Sequence, residues 1–111
     1  MIYMDNAATT KTKKEVVDEM LEYFTILYGN PSSIYEFAGK SRDAIENARN
    51  IISDTINATS DEIYFTSGGT ESDNWALRTV AKAYKNKGKH IITSKIEHPA
   101  ILKTSKNLED L

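Results

Sequence analysis

Two short β-prone runs, Ile63-Tyr64-Phe65-Thr66 and His90-Ile91-Ile92-Thr93-Ser94, lie one helix-length apart, and this spacing constrains the fold more than any other feature. A crossover of that length joins parallel strands, which a tight hairpin cannot do. Read along the chain, the elements follow the order α-α-β-α-β-α, which predicts α/β layering. Two strands cannot complete such a sheet, because a lone pair leaves both edges exposed to water. The 111 residues therefore read as a piece of something larger or as a segment that depends on assembly.

The helices are legible from apolar spacing. Residues 1–11 have no helical period and read as an extended arm. Thr12 followed by Glu15 is a capping-box pattern, and Val16, Val17, Met20, Leu21, Phe24, Leu27 and Tyr28 then recur at helical intervals. Gly29-Asn30-Pro31-Ser32-Ser33 ends that helix in a turn. Ser33 with Glu36 predicts a second start, weakened by Gly39, and from Ser41 onward Ala44, Ile45, Ala48, Ile51, Ile52, Thr55 and Ile56 form a firm helical stripe. A third helix is expected from about Thr70, with Ala76, Leu77, Val80, Ala81 and Tyr84 on one face and Gly88 as its C-cap. His98-Pro99 opens a last helix carrying Ile101, Leu102, Leu108 and Leu111, with proline suited to the first helical position.

Composition excludes several functional classes. Hydrophobic residues make up 40% and charged residues 27%, as in an ordinary folded domain, so a disordered tail is not expected. A net charge of -2 with scattered basic residues gives no footprint for nucleic acid, and the lysines at 82, 85, 87 and 89 read as one solvated helix end. No apolar run approaches the ~20 residues that span a bilayer, and residues 1–6 show no secretory signal, so no membrane partner is expected. With no cysteine, the chain has no disulfide, thiolate metal site or cysteine nucleophile of its own, and a cytoplasmic location is the default expectation.

The stretch with most chemical content is Phe65-Thr66-Ser67-Gly68-Gly69-Thr70-Glu71-Ser72. A strand, a glycine-rich turn and a helix start form an anion site in principle. The first amides of a helix lack internal partners, and the helix dipole adds partial positive charge. Glycines admit close approach of a phosphate, and the Thr70 hydroxyl can add a hydrogen bond. The plainer alternative is a tight βα connection with Thr70 or Ser67 as N-cap, and spacing alone leaves both open. A Walker loop is excluded because no lysine follows the glycines, and a nucleophile elbow because Phe65 stands where glycine is required. The dinucleotide fingerprint is absent as well.

His98, at a helix start directly after a strand, could stack on a planar ring or relay protons, or could simply cap its helix. His90 reads as structural, and neither histidine has metal-ligand spacing, so no metal is expected. Asp5-Asn6-Ala7-Ala8-Thr9-Thr10 is a segment of small and polar residues in the arm.

Taken together, Asp5 to Thr10, Gly29-Asn30-Pro31-Ser32-Ser33, Phe65 to Asn74 and Glu97-His98-Pro99-Ala100 resemble the cysteine desulfurases, in the family's order and at its spacing across essentially the whole chain. These enzymes belong to the class V aminotransferase group of fold type I pyridoxal-phosphate (PLP) enzymes. The resemblance implies an α/β chain forming the N-terminal part of the large domain of a PLP-dependent transferase, with a three-layer α/β/α architecture. Residues 1–11 would be an arm lining the active site and 12–111 the first part of the PLP-binding domain. Gly69 and Thr70 match residues that hold the PLP phosphate. His98 matches the histidine that stacks on the cofactor ring and assists proton transfer. Asn6, Ala7, Ala8 and Thr9 match a segment on the substrate side of the pocket.

The resemblance further implies a homodimer that takes L-cysteine to L-alanine, leaves the sulfur as an enzyme persulfide, and hands it to acceptor or scaffold proteins for iron–sulfur cluster or thiolated-RNA synthesis. Within these 111 residues there is no His-Lys pair to match the family's cofactor-bearing lysine, and no cysteine to carry the persulfide. The chain alone is thus expected to be inactive and to bind PLP weakly or not at all. Tyr35 stands where the family often has histidine, and Ala38 where it often has glycine, which leaves the local turn in doubt. Related readings are a selenocysteine lyase or another class V aminotransferase, and, from a different class, a non-catalytic interaction module.

Overall fold

The structure is a computed structural model that describes residues 2–109. It falls into two compact units, one running to Tyr64 and the other beginning at Phe65.

The first unit holds the arm and two helices. In the arm, the Ala8 and Thr9 amides both donate to the Asp5 carbonyl, folding Asn6-Ala7-Ala8 into a turn. Helix α1 runs Lys14–Thr25 and α2 runs Glu36–Ile56. The predicted capping box at Thr12 and Glu15 does not form. The N-cap is Lys13 without a side-chain bond, and Glu15 instead falls in the first turn, where its charge favours the helix dipole. α1 also stops before Leu27 and Tyr28, and the Leu27 carbonyl, whose helical donor would be Pro31, accepts instead from the buried Ser41 hydroxyl of α2 at 2.8 Å.

The turn between the helices is fastened from both sides. Asn30 Oδ1 accepts from the Ser32 amide at 3.0 Å, and Arg42 of α2 donates to the carbonyls of Ser33 and Pro31. Tyr28 meets Phe37 edge-on with ring centroids 5.1 Å apart. Gly29 is required here, since a Cβ at this position would lie 2.9 Å from both Ala38 Cα and the Phe37 carbonyl oxygen. The N-cap of α2 is Tyr35, not Ser33, and the helix passes through Gly39 unbroken. Asn57 ends it in the left-handed conformation at φ 55°, with the Ala58 amide returning to the Ser53 carbonyl, as in a Schellman motif. A 3₁₀ turn, Ser60–Glu62, follows, and Glu62 accepts from both the amide and the hydroxyl of Thr59.

The second unit is a pair of packed helices, α3 over Gly69–Ala83 and α4 over Pro99–Glu109. α3 ends earlier than the glycine signal predicts. Tyr84 is its C-cap, and Gly88 closes a further turn in which the Lys87 and Gly88 amides both reach the Tyr84 carbonyl. Of the predicted apolar positions of α4, Leu111 lies outside the described residues.

Neither β-prone run forms a ladder among the described residues. Ile63 is extended at φ -98° and ψ 123°, but its amide donates to the Ser60 carbonyl and its carbonyl accepts from Arg49 Nε at 3.1 Å. Both groups that a ladder would use are therefore engaged elsewhere. The runs keep strand propensity without the partner that would turn it into a strand.

The helix faces are similarly unpartnered. The only buried apolar side chains among the described residues are Ala38 and Ala100, while Val16, Val17, Met20, Leu21 and Phe24 of α1 are all exposed. On α3, Leu77, Val80, Ala81 and Tyr84 line an open groove with Ile91 and Leu108 in place of a packed core.

Candidate functional site

The glycine-rich turn is ordered by side chains on both flanks. The Ser67 amide and hydroxyl both donate to Glu71 Oε2, at 2.6 and 2.8 Å. The hydroxyls of Thr66 and Ser72 share a hydrogen bond at 2.7 Å. Gly68 is the N-cap of α3, so neither Thr70 nor Ser67 caps the helix. The Glu71 and Ser72 amides both return to the Gly68 carbonyl, at 3.1 and 3.2 Å. Of the four orphan amides at this helix start, Glu71's is engaged, and those of Gly68, Gly69 and Thr70 have no acceptor among the described residues. A Cβ at Gly68 or Gly69 would meet nothing within 4 Å, so the space beside these two glycines is open. Free amides at the positive end of a 15-residue helix, those of Gly69 and Thr70 among them, can bind an anion.

Glu71 does not occupy that space. Its carboxylate is drawn back to Ser67, whose amide and then hydroxyl hold it below its usual 4.5. Because the folded value is the lower one, this order contributes fully above the unfolded value and is lost as pH falls through the folded value. Acidification below about pH 4.5 is therefore expected to lower the protection of the Ser67 amide relative to its intrinsic exchange rate at each pH, and Glu71→Gln should remove that change in protection. Protection that falls with acid alike in both forms would show that the carboxylate does not order the turn.

His98 serves as the N-cap of α4. Its Nδ1 accepts from the Ala100 amide at 3.1 Å, and its carbonyl accepts from Ile101 and Leu102. The helix-capping alternative is thus realised, but it leaves the ring usable. With Nδ1 engaged as an acceptor, Nε2 is the nitrogen that carries hydrogen, on an exposed side chain. Pro99 stands at the first helical position, as expected.

Gly69, Thr70 and His98 belong to the second unit, on two packed helices. Asn6, Ala7, Ala8 and Thr9 belong to the first, where all four are exposed. Sequence reasoning missed the bond joining the two helices of the second unit. Thr104 Oγ1 donates to Asn74 Oδ1 at 2.6 Å, and Thr104 is 2% exposed. The available signal was a polar residue four positions after Ala100 on the same buried stripe. Among the described residues, no group of acidic or histidine side chains could hold a metal ion.

The family model for class V aminotransferases matches residues 2–111. The chain belongs to that family. This class V aminotransferase chain is 58% identical over 108 residues to the cysteine desulfurase IscS of Methanosarcina thermophila and 56% identical to that of Clostridium botulinum strain Kyoto. In each case the match covers 97% of this chain and 27% of the relative, so the chain spans roughly a quarter of the length of these curated relatives.

Among solved structures, it matches a NifS-like protein with a TM-score of 0.91 at 38% identity, covering 98% of this chain and 30% of that one. It also matches SspA in complex with cysteine, with a TM-score of 0.88 at 40% identity, covering 97% and 31%. The class V chain therefore has the fold of the N-terminal portion of a fold type I PLP transferase. The α/β expectation holds at that level, although the described residues are helical.

Proposed function

We propose that this chain is the N-terminal portion of a PLP-dependent cysteine desulfurase. The observation that carries this reading is the acceptor-free amides of Gly69 and Thr70, at the start of a helix packed against the one that His98 caps. These residues fit a phosphorylated planar cofactor. The amides of Gly69 and Thr70 would hold its phosphate, with the Thr70 hydroxyl as a further donor. The His98 ring would stack on its ring, contributing about 0.5–1.5 kcal/mol beyond area burial. With Nδ1 tied to the Ala100 amide, His98 would hold or move a proton at Nε2.

PLP, when bound, supplies an electron sink that labilises bonds at the α-carbon of an amino acid. In this reading residues 1–11 are the arm beside the substrate, through Asn6, Ala7, Ala8 and Thr9, and 12–111 open the large domain. The whole enzyme would be a homodimer that converts L-cysteine to L-alanine. It would pass persulfide sulfur to acceptor proteins for iron–sulfur clusters or thiolated RNA. A cytoplasmic setting suits it, because the sulfur-carrying thiol must stay reduced there. The lysine and cysteine this chemistry requires would come from outside these 111 residues.

The test is the full-length enzyme carrying this segment, loaded with PLP and given L-cysteine or L-selenocysteine. Equimolar L-alanine and protein-bound sulfane sulfur are expected from L-cysteine. Turnover of L-selenocysteine alone would replace the desulfurase reading with a lyase specific for selenium.

A further inference from the structure

The two candidate cofactor contacts, at the starts of α3 and α4, are linked by a short chain of side-chain bonds that the proposed chemistry does not use. Asn74 Nδ2 donates to the Thr70 carbonyl at 2.9 Å, in the first turn of α3. Asn74 Oδ1 accepts from Thr104 Oγ1 at 2.6 Å, in the middle of α4. Thr104 is almost fully buried and Asn74 half-buried, so water competes poorly for this bond. Asn74 and Thr104 each stand five residues after the first residue of their helices. At a rise of about 1.5 Å per residue, the bond lies roughly 7.5 Å along each axis from the helix start. Thus both candidate contacts lie within two helical turns of the tie. An amide suits this position because it donates and accepts at once, and a threonine hydroxyl can supply the matching donor from inside a packed face.

We propose that Asn74 and Thr104 are positioning residues that lock the anion corner at Gly69-Thr70 in register with His98. This rests on the reading of that corner as a PLP-phosphate site. A slide or rotation of α4 against α3 would shift the imidazole relative to the bound phosphate, and the Asn74–Thr104 bond resists both. Asn74 also grips the turn that presents the free amides, so loosening the tie weakens phosphate binding as well as alignment.

The test compares apparent dissociation constants of PLP and of pyridoxal, which lacks the phosphate, in the full-length enzyme. Their ratio isolates the phosphate contribution, and a general loss of stability lowers both affinities without moving it. Thr104→Val removes the donor at nearly constant volume and is expected to cut the ratio by about fivefold to tenfold. Thr104→Ser should restore it. Asn74→Ala with Thr104→Val should fall no further than Asn74→Ala alone, since that change already breaks the link to Thr104. A ratio within about twofold of wild type in Thr104→Val, whatever the thermal midpoint does, would overturn the proposal while leaving the phosphate site standing. A wild-type enzyme that binds PLP no better than pyridoxal would overturn the phosphate reading itself, and the positioning role with it.

Discussion

The 111-residue polypeptide expressed by itself is expected to release no sulfide from L-cysteine and to unfold without a cooperative transition. The chemical half of this expectation follows from composition: no cysteine is present to accept sulfur, and no His-Lys pair matches the family's cofactor-bearing lysine. The physical half follows from burial. Val16, Val17, Met20, Leu21 and Phe24 form one face of α1, and all are exposed, Phe24 to 70%. Covering a fully exposed side chain of this size contributes about 1.5–3 kcal/mol, and these five are about half exposed, so the face represents roughly 4–8 kcal/mol of unrealised burial. That is comparable to the whole net stability of a typical domain, about 5–15 kcal/mol.

Short helices give no independent reserve. α1 has 12 residues and α4 has 11, lengths at which an isolated helix is marginal in water. The exposed ion pairs, such as Lys14 with Asp18, add little. The isolated chain should therefore show helical circular dichroism with a broad melt, strong binding of a hydrophobic dye, and zero turnover. A sharp calorimetric transition would sink the burial argument. Sulfide release abolished by changing one of its lysines would sink the chemical one.

The helices were legible because apolar spacing survives whether or not a partner is present: most of each stripe on α1, α2 and α3 falls within its helix, with Leu27, Tyr28 and Tyr84 just past the ends. Capping was less legible, since competing donors decide it. Thr12 and Glu15 have a capping spacing, but the helix begins at Lys14, while the same pattern at Thr59 and Glu62 does form its bonds. Strands were legible only as propensity. Ile63 commits its amide to Ser60 and its carbonyl to Arg49, and a ladder is a property of two chains of residues rather than one.

The anion corner could be read from sequence because its physics is local: glycines, a helix start and orphan amides lie within a few consecutive residues. Glu71's return to Ser67 and the Asn74–Thr104 bond could not be read that way. The first depends on side-chain conformation, and the second joins residues 30 positions apart.

Gly69→Asp is expected to weaken PLP binding by about a thousandfold in the full-length enzyme while leaving its thermal stability equal or slightly higher. The two effects separate because of the geometry at this residue. A Cβ at Gly69 meets nothing within 4 Å, so the side chain fits without strain. A carboxylate in the first turn of α3 also interacts favourably with the helix dipole, by about 0.3–1 kcal/mol.

The same carboxylate would stand at the helix start, within a few ångströms of the free amides of Gly69 and Thr70 where the phosphate is proposed to sit. Two like charges 4 Å apart near a protein surface repel by about 4 kcal/mol, which is roughly three powers of ten in affinity. Gly69→Asn supplies nearly the same volume without the charge and should cost no more than about tenfold. Cofactor titration, followed by absorbance, measures the two affinities, and a thermal melt of the apo forms measures stability. Equal PLP affinities in the Asp and Asn variants would place the phosphate away from this helix start. A matched loss of stability and affinity in both would mean that Gly69 serves the backbone and not the anion.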